Sequence, residues 1–261
     1  MNIDIYKYHG AGNDFILIDN RLNNYTLDTK HIAFLCDRHL GVGADGLMIL
    51  ENDTEHDFKM RYYNSDGKEA SLCGNGSRCI VRFAKDLNII ENKTSFMAFD
   101  GVHEAEIFTN DYVKLQMQDV SYIKDYSDHY FLDTGSPHAI FFVNINDDID
   151  IYNEGKRIRN SDLYRKEGTN VNFVKIFDSY INVATYERGV ENETLSCGTG
   201  CVASAIAFHH QSKSKSNSIN IKAKGGNLNV SFNFENGVYK NIFLEGPTCF
   251  VFKTKIQIPD L

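Results

Sequence analysis

"EASLCGNGSRCIVRF" at residues 69–83 and "ETLSCGTGCVASA" at residues 193–205 share one phrase, Glu-x-x-x-Cys-Gly-x-Gly. Its cysteines, Cys73 and Cys197, lie 197 − 73 = 124 positions apart, and other phrases match at nearly that offset. Gly12 opens "GNDFILID" and Gly135 opens "GSPHAIFFV", 135 − 12 = 123 apart. "RYYNSDG" at 61–67 aligns with "TYERGVE" at 185–191, setting Tyr63 over Tyr186 and Asn64 over Glu187, again at 123. Gly41 of "GVGADGLMIL" and Gly168 of "GTNVNFVKI" pair at 168 − 41 = 127, which reads as a loop a few residues longer in the second half. One such match is weak, but four in the same order at near-constant offset indicate an internal duplication. The expectation is two similar domains, 1–118 and 119–250, with roughly the last ten residues completing the first.

Within each half, short apolar or alternating runs read as strands: "FILID", "GLMIL", "FKMRYYN" and "YVKLQMQ", then "HAIFFV", "NFVKI", "INVATYE" and "IFLEG". Two segments are strongly helical, "SRCIVRFAKDL" and "CVASAIAFHH", and each follows a Cys-Gly-x-Gly phrase. The second is apolar on nearly every face, the mark of a helix surrounded by protein. The fold class is therefore α+β: two pseudo-symmetric domains, each a curved mixed sheet or barrel around a central helix. "LDTKHIAFLCDRH" predicts a further, peripheral helix capped by Asp28 or Thr29. "HHQSKSKSNSIN", residues 209–220, reads as an exposed linker.

Composition narrows the function. Hydrophobic residues at 42% and charged residues at 24% support a folded core rather than disorder. A net charge of −8 repels phosphate and argues against nucleic acid as a partner. No apolar run approaches the roughly 18 residues of a membrane helix, and the N-terminus lacks a signal-peptide pattern. A cytoplasmic protein, with its six cysteines as thiols, is expected.

"GVGADG", residues 41–46, fits the dinucleotide-binding pattern letter for letter, but it follows a helix and leads into a strand, the reverse of what that motif requires. It reads as a tight turn. Cys73 with Cys79 and Cys197 with Cys201 lack the spacing of structural zinc sites or thioredoxin-type pairs, so no metal is expected. Cys79 and Cys201 read as buried thiols, and Cys36 and Cys249 carry no context. Cys73 and Cys197 differ in kind, because each precedes Gly-x-Gly at a helix N-terminus. There backbone N–H groups and the helix dipole favour a thiolate and lower the thiol pKa.

Two cysteines in equivalent settings suit a reaction that removes a proton from one face of a carbon and returns one to the other. Pseudo-twofold packing would bring the two helix ends together. The amides of Gly74, Asn75, Gly198 and Thr199 would then hold a carboxylate and its developing enediolate, with no cofactor required.

"HGAGNDF", "DRHLGVGADG", "YNSDGKEASLCGNGSRC", "DTGSPHA", "GTNVNF" and "YERGVENETLSCGTG" closely resemble the diaminopimelate epimerases over nearly the whole chain. The resemblance implies an isomerase that interconverts L,L- and meso-diaminopimelate on the route to lysine and peptidoglycan. It implies a cofactor-independent homodimer that closes on its small-molecule substrate, with Cys73 and Cys197 as the acid–base pair. By motif match, Asn13, Asn64, Asn170 and Arg188 are substrate ligands, with Glu187 and the four amides named above. Arg188, Asn64 and Asn170 suit a distal carboxylate, and Glu187 suits an amine and can tune a cysteine. His138 is implied to help set a thiol pKa, while Asp66 and Glu69 read as turn and helix-capping groups. Ser136 stands where relatives often carry asparagine, and Gly46 where some carry glutamine, so both usual contacts are shortened. The competing readings are a racemase of the same fold with another substrate, a thiol redox or metal-binding protein, and a non-catalytic binding module.

Overall fold

The computed structural model describes residues 1–23, 25–70, 73–109, 111–212 and 216–259. The chain divides into two compact units, the first comprising residues 1–115 and the C-terminal segment from Pro247, the second Gln116–Gly246.

The first unit holds β1 (Asn2–Gly10), β2 (Asn13–Asp19), α1 (Thr29–Cys36), β3 (Gly46–Glu51), β4 (Phe58–Asn64) and β5 (Glu69–Ala70). It continues with α2 (Gly74–Asp86), β6 (Lys93–Ala98), β7 (Gly101–Thr109) and most of β8 (Tyr112–Met117). The second holds β9 (Lys124–Asp125), β10 (Tyr130–Asp133), β11 (Pro137–Val143), α3 (Ile151–Arg159), β12 (Asn170–Ile176), β13 (Ile181–Glu187) and β14 (Asn192–Thr194). Then come α4 (Gly198–Ser212), β15 (Ser218–Ala223), β16 (Gly226–Glu235) and the start of β17 (Val238–Gln257), whose later residues pair with β1.

The pairing rules of the two units are the same. In the first, β1–β2 is antiparallel, β2–β3 parallel, β3–β4 and β4–β5 antiparallel, β4–β6 parallel, and β6–β7 antiparallel. In the second, β10–β11 is antiparallel, β11–β12 parallel, β12–β13 and β13–β14 antiparallel, β13–β15 parallel, and β15–β16 antiparallel. This is the duplication expressed as topology. The strands also correct one sequence pairing: Gly46 opens β3 and Asn170 opens β12, 170 − 46 = 124 apart, so Gly41 and Gly168 are not equivalent.

Each unit buries one helix on nearly every side. From Gly74 to Ala84 only Arg82 of α2 reaches solvent appreciably, and from Gly198 to His209 α4 is almost continuously buried. Both begin directly after the cysteine, earlier than the apolar pattern indicated. The carbonyl of Cys73 accepts from Ser77 N–H at 2.7 Å and that of Cys197 from Cys201 N–H at 2.9 Å, so each cysteine is the N-cap of its helix. The third glycine-phrase position explains itself sterically. A Cβ on Gly76 would sit 1.7 Å from the Met48 terminal methyl, and one on Gly200 2.5 Å from Asn172 Oδ1. Glycine there lets a strand side chain press against the helix's first turn.

The second helix of each unit covers the other side of the sheet. Ile32 and Leu35 of α1 pack with Ile16, Ile18, Leu47 and Ile49, and Asp28 caps that helix in a capping box with His31. In the second unit Ile158 of α3 packs with Ala139, Val171, Phe173 and Tyr186. Sequence periodicity did not reveal α3 because Gly155 interrupts it; a Cβ at Gly155 would lie 2.3 Å from Tyr186 Cβ, so close packing demands the helix-weakening residue. Glu69 is not a helix cap: it lies in β5 and pairs with Arg61 at 3.0 Å. Asp66 does act as a turn group, accepting from Lys68 N–H at 3.0 Å. Of the expected linker, 209–212 finish α4 and 218–220 begin β15, while 213–215 lie outside the described residues. No helix among the described residues is long and apolar enough to cross a membrane.

Candidate active site

The expected site residues fall into two groups, one in each unit. In the first, Cys73 is half-buried at the N-cap of α2, and its Sγ–H donates to Asn13 Oδ1 at 3.6 Å. Asn75 Nδ2 donates to the same oxygen at 3.4 Å, and the buried Arg78 holds Asn75 by donating to its Oδ1 at 2.9 Å and to Gly74 O at 3.1 Å. Arg78 is a positioning group that the sequence reading missed.

Asn13 is aimed by charges behind it. Its Nδ2 donates to Asp45 Oδ2 at 2.6 Å, and Arg38 bridges Asp45 and Asp14 at 2.7 Å each. Lys7, buried, pairs with Asp14 at 2.6 Å and also donates to Gly43 O. Burial alone would raise the Asp14 carboxyl, but the bonds from Arg38 and Lys7 outweigh it and hold it at about 2. With Nδ2 committed to Asp45, Asn13 Oδ1 is left as the acceptor for Cys73. Asn64, at the end of β4, is exposed and takes a 3.0 Å bond from Tyr62 Oη rather than joining the cysteine. The Tyr62 ring covers Gly46, where a Cβ would sit 2.7 Å from Tyr62 Cε2 and from Tyr63 O. A longer side chain at that position is sterically closed in this chain.

In the second unit Cys197 is buried at the start of α4. Its sulfur lies 3.5 Å from Thr199 Oγ1 and accepts from Gly200 N–H. The helix terminus does not produce a low thiol pKa here. Burial pushes it well up and the Glu187 carboxylate adds to that, outweighing the bonds from Thr199 and Gly200. Glu187 is itself held by Thr194 Oγ1 at 2.9 Å.

Behind Thr199 stands His138, fully buried, with Nε2 3.0 Å from Thr199 Oγ1 and 3.0 Å from Ser136 Oγ. Burial, and then the Arg188 charge, hold its pKa down at about 3, so the ring is neutral. Asn170 spends its amide on the scaffold: Oδ1 accepts from Arg188 N–H at 2.9 Å, and Nδ2 donates to Ser136 Oγ at 3.2 Å and Pro137 O at 3.0 Å. Arg188 is exposed, its guanidinium bonded to Glu167 O at 3.1 Å with no carboxylate partner among the described residues. Asn172 and Thr185, which the sequence reading passed over, complete the buried network, with Thr185 Oγ1 donating to Asn172 Oδ1 at 2.9 Å.

The chain that carries these two cysteine-capped helices matches the family model for diaminopimelate epimerase over residues 5–123 and 130–250. The chain belongs to the diaminopimelate epimerase family. A relative of that name from Flavobacterium psychrophilum is 54% identical over 97% of this chain and 99% of its own length. One from Chlorobaculum tepidum is 41% identical over 95% and 99%. Among solved structures, a phenazine biosynthesis protein of the PhzF family from Bacillus anthracis aligns with a TM-score of 0.79 at 13% identity, covering 99% of this chain and 100% of its own. A probable proline racemase from Agrobacterium radiobacter aligns with a TM-score of 0.72 at 13% identity, over 98% and 93%. At that identity the likeness establishes the α+β fold alone. Membership of the diaminopimelate epimerase family makes the chain an isomerase of the epimerase class.

Proposed function

We propose that this chain interconverts L,L- and meso-diaminopimelate by proton transfer between two cysteines, without a cofactor, on the route to lysine and peptidoglycan. The observation that carries the reading is the repeated one: Cys73 and Cys197 each cap a buried helix through the same backbone bond and the same glycine phrase. In one direction a cysteine thiolate takes the α-proton and becomes a thiol. The electron pair left on carbon spreads onto the adjacent carboxylate, and the other cysteine's thiol then gives its proton to the opposite face and becomes the thiolate. The reverse direction exchanges the roles.

The remaining residues divide by charge. The amides of Gly74, Asn75, Gly198 and Thr199 receive the carboxylate at the reacting carbon, where two helix N-termini stabilise its growing charge. Arg188, with Asn64 and Asn170, reads the distal amino-acid head, the arginine as the charged partner of its carboxylate, and Asn13 is a further substrate ligand beside Cys73. Glu187 accepts an ammonium. That contact offsets the carboxylate charge which, after burial, does most to hold Cys197 protonated, so substrate binding eases ionisation of the sulfur. His138 stays neutral and acts on Cys197 through Thr199. The enzyme works as a cytoplasmic homodimer in this reading.

The test is conversion of L,L-diaminopimelate in deuterated water. Meso product should carry deuterium at the inverted carbon, and proton NMR should follow loss of that α-proton signal. Cys73→Ala and Cys197→Ala should each stop inversion, and the reaction should survive a chelator and a carbonyl reagent that traps pyridoxal. Near wild-type inversion by either single variant, or loss of activity on chelation, would refute the two-cysteine reading.

A further inference from the structure

The duplicated pairing places three positions under each helix's first turn, and the two units fill them with different chemistry. In the first unit they are Phe15, Met48 and Tyr62, with Met48 opposite Tyr62 in the β3–β4 register. In the second they are His138, Asn172 and Thr185, with Asn172 opposite Thr185 in the β12–β13 register. The offsets are those of the repeat: 138 − 15 = 123, 172 − 48 = 124 and 185 − 62 = 123. The contact with the helix is also equivalent, since Met48 abuts Gly76 and Asn172 abuts Gly200. A mostly apolar support under Cys73 is thus replaced by a fully buried polar one under Cys197, with His138 and Asn172 both 0% exposed and Thr185 3%.

Hydrogen-bond direction along this polar triad is fixed. One atom of the Asn172 amide faces Ala139 O at 3.2 Å. A carbonyl can only accept, so that atom is Nδ2, and Oδ1 is the end that receives the Thr185 hydroxyl at 2.9 Å. The same Nδ2 lies 3.1 Å from His138 Nδ1. Facing a donor, Nδ1 must present its lone pair, which places the ring proton on Nε2. From there it points to the hydroxyl pair of Thr199 and Ser136, each 3.0 Å away. Ser136 Oγ accepts from Asn170 Nδ2 at 3.2 Å and faces the protonated Nε2, so its own proton goes to Thr199 Oγ1 at 3.2 Å. With that bond and the Nε2–H both received, Thr199 is left to give its proton to the Cys197 sulfur at 3.5 Å.

We propose that Asn172, held by Thr185, is a positioning residue that locks His138 as its Nε2–H tautomer and so keeps Thr199 as a hydrogen-bond donor to Cys197. The inference rests on Cys197 being one of the two reacting thiols. Its consequence is specific: when Cys197 ionises, a hydroxyl proton is already aimed at the sulfur and no side chain has to turn.

The decisive measurement is ¹⁵N NMR of histidine-labelled enzyme, with the His138 signals assigned by their loss in His138→Gln. Wild type should show a protonated Nε2 and an unprotonated Nδ1. Asn172→Asp keeps the shape but puts an acceptor against Nδ1, so the proton should move there. That variant should lose kcat by about tenfold or more, the scale on which groups orienting a functional histidine act, with little change in KM. Alkylation of Cys197 by iodoacetamide, followed by mass spectrometry, should slow in parallel, a readout that needs no substrate. Thr185→Val should reproduce part of the effect and Thr185→Ser should restore the wild-type tautomer. A protonated Nδ1 in wild type, or an unchanged tautomer in Asn172→Asp, would overturn the proposal. If Asn172→Asp does not fold, the wild-type spectrum and the Thr185 pair decide. A predicted tautomer in a chain that does not turn over diaminopimelate would instead sink the substrate reading and leave the lock standing.

Discussion

Replacing Gly200 by alanine tests the packing of α4 against its strand and the buried network in one step. The added Cβ would sit 2.5 Å from Asn172 Oδ1 and 3.3 Å from both Cβ and Sγ of Cys197. Ordinary contact begins near 3.4 Å, so the deficit at the oxygen is 3.4 − 2.5 = 0.9 Å. Asn172 cannot give way cheaply, because its oxygen is bonded to Thr185 and its nitrogen to His138 and Ala139. Overpacking a core costs about 1–3 kcal/mol, and breaking one buried neutral hydrogen bond adds roughly 1. The gain of alanine over glycine in a helix returns at most about 1. The expected net loss is about 2 kcal/mol, or roughly 4–8 °C in Tm for a chain of this size, with activity falling at least about tenfold as His138 loses its partner. Gly76→Ala is the control. Its Cβ would meet Met48 Cε at 1.7 Å, nominally worse, but that is the free end of a flexible side chain. Calorimetry and turnover on both variants should therefore show Gly200→Ala losing more activity per degree of Tm. Adding Asn172→Ala to Gly200→Ala should cost less than the two changes separately, since the clash is then gone. Activity in Gly200→Ala close to wild type, or strict additivity in the cycle, would show that Asn172 is not held as argued.

Three further outcomes follow from charge. Asp14 is held at about 2 against an ordinary 3.8, so its stabilisation is complete above about pH 4 and is lost as pH falls towards 2. After allowing for solvent screening it is worth about 1–2 kcal/mol, and melting curves should show wild type losing more Tm between pH 4.5 and 2.5 than Asp14→Asn; equal losses would refute it. Arg188 is exposed and makes one backbone bond, so Arg188→Ala should leave Tm unchanged yet cut kcat/KM for diaminopimelate about a hundredfold or more. A loss under tenfold would remove it from the substrate's distal end. Glu187 raises the Cys197 pKa, so Glu187→Gln should lower it, and iodoacetamide should label Cys197 faster at neutral pH; a slower or unchanged rate would contradict the assigned charge effect.

The fold was legible where repetition amplified it. Two halves in register implied two similar units, and the all-round apolar stretch after Cys197, matched in position by the helical one after Cys73, implied a central helix in each, because both signals are carried by many residues at once. What stayed hidden depended on single contacts. Gly155 masked α3, although the repeat itself places a helix there, since shifting α1 by the common offset lands on it. Glu69 has the spacing of a capping group, yet a two-residue strand intervenes and turns it towards Arg61. At the site, cysteines, arginine and glutamate announce themselves by chemistry. Asn172 and Thr185 do not, and their only trace is the alternation of "NVN" in β12, which puts Asn170 and Asn172 on one face. The thiol pKa was misjudged for a related reason. A helix terminus is visible in sequence, whereas the burial that outweighs it at Cys197 is a property of the finished core.

Divergence between the halves has a chemical logic. Gene duplication supplies two cysteines at two helix ends, but identical surroundings would give both the same proton affinity and the same hydrogen-bonding role. The proposed proton transfer between two bases would need them unlike at each instant, one charged and one not. The backbone is preserved through the cap, the glycine phrase and the strand order, while the polar groups that reach each sulfur have been exchanged. Cys73 donates to an amide oxygen fixed from behind by Asp45, Arg38, Asp14 and Lys7, a network of full charges. Cys197 faces a hydroxyl backed by a neutral imidazole and an amide, with one carboxylate, Glu187, raising its pKa. In the proposed mechanism a substrate ammonium at Glu187 would cancel the carboxylate charge that raises the Cys197 pKa. On that proposal ionisation of Cys197 follows occupancy of the site, while burial and Glu187 favour the thiol when no ammonium is bound, the form that resists alkylation and oxidation.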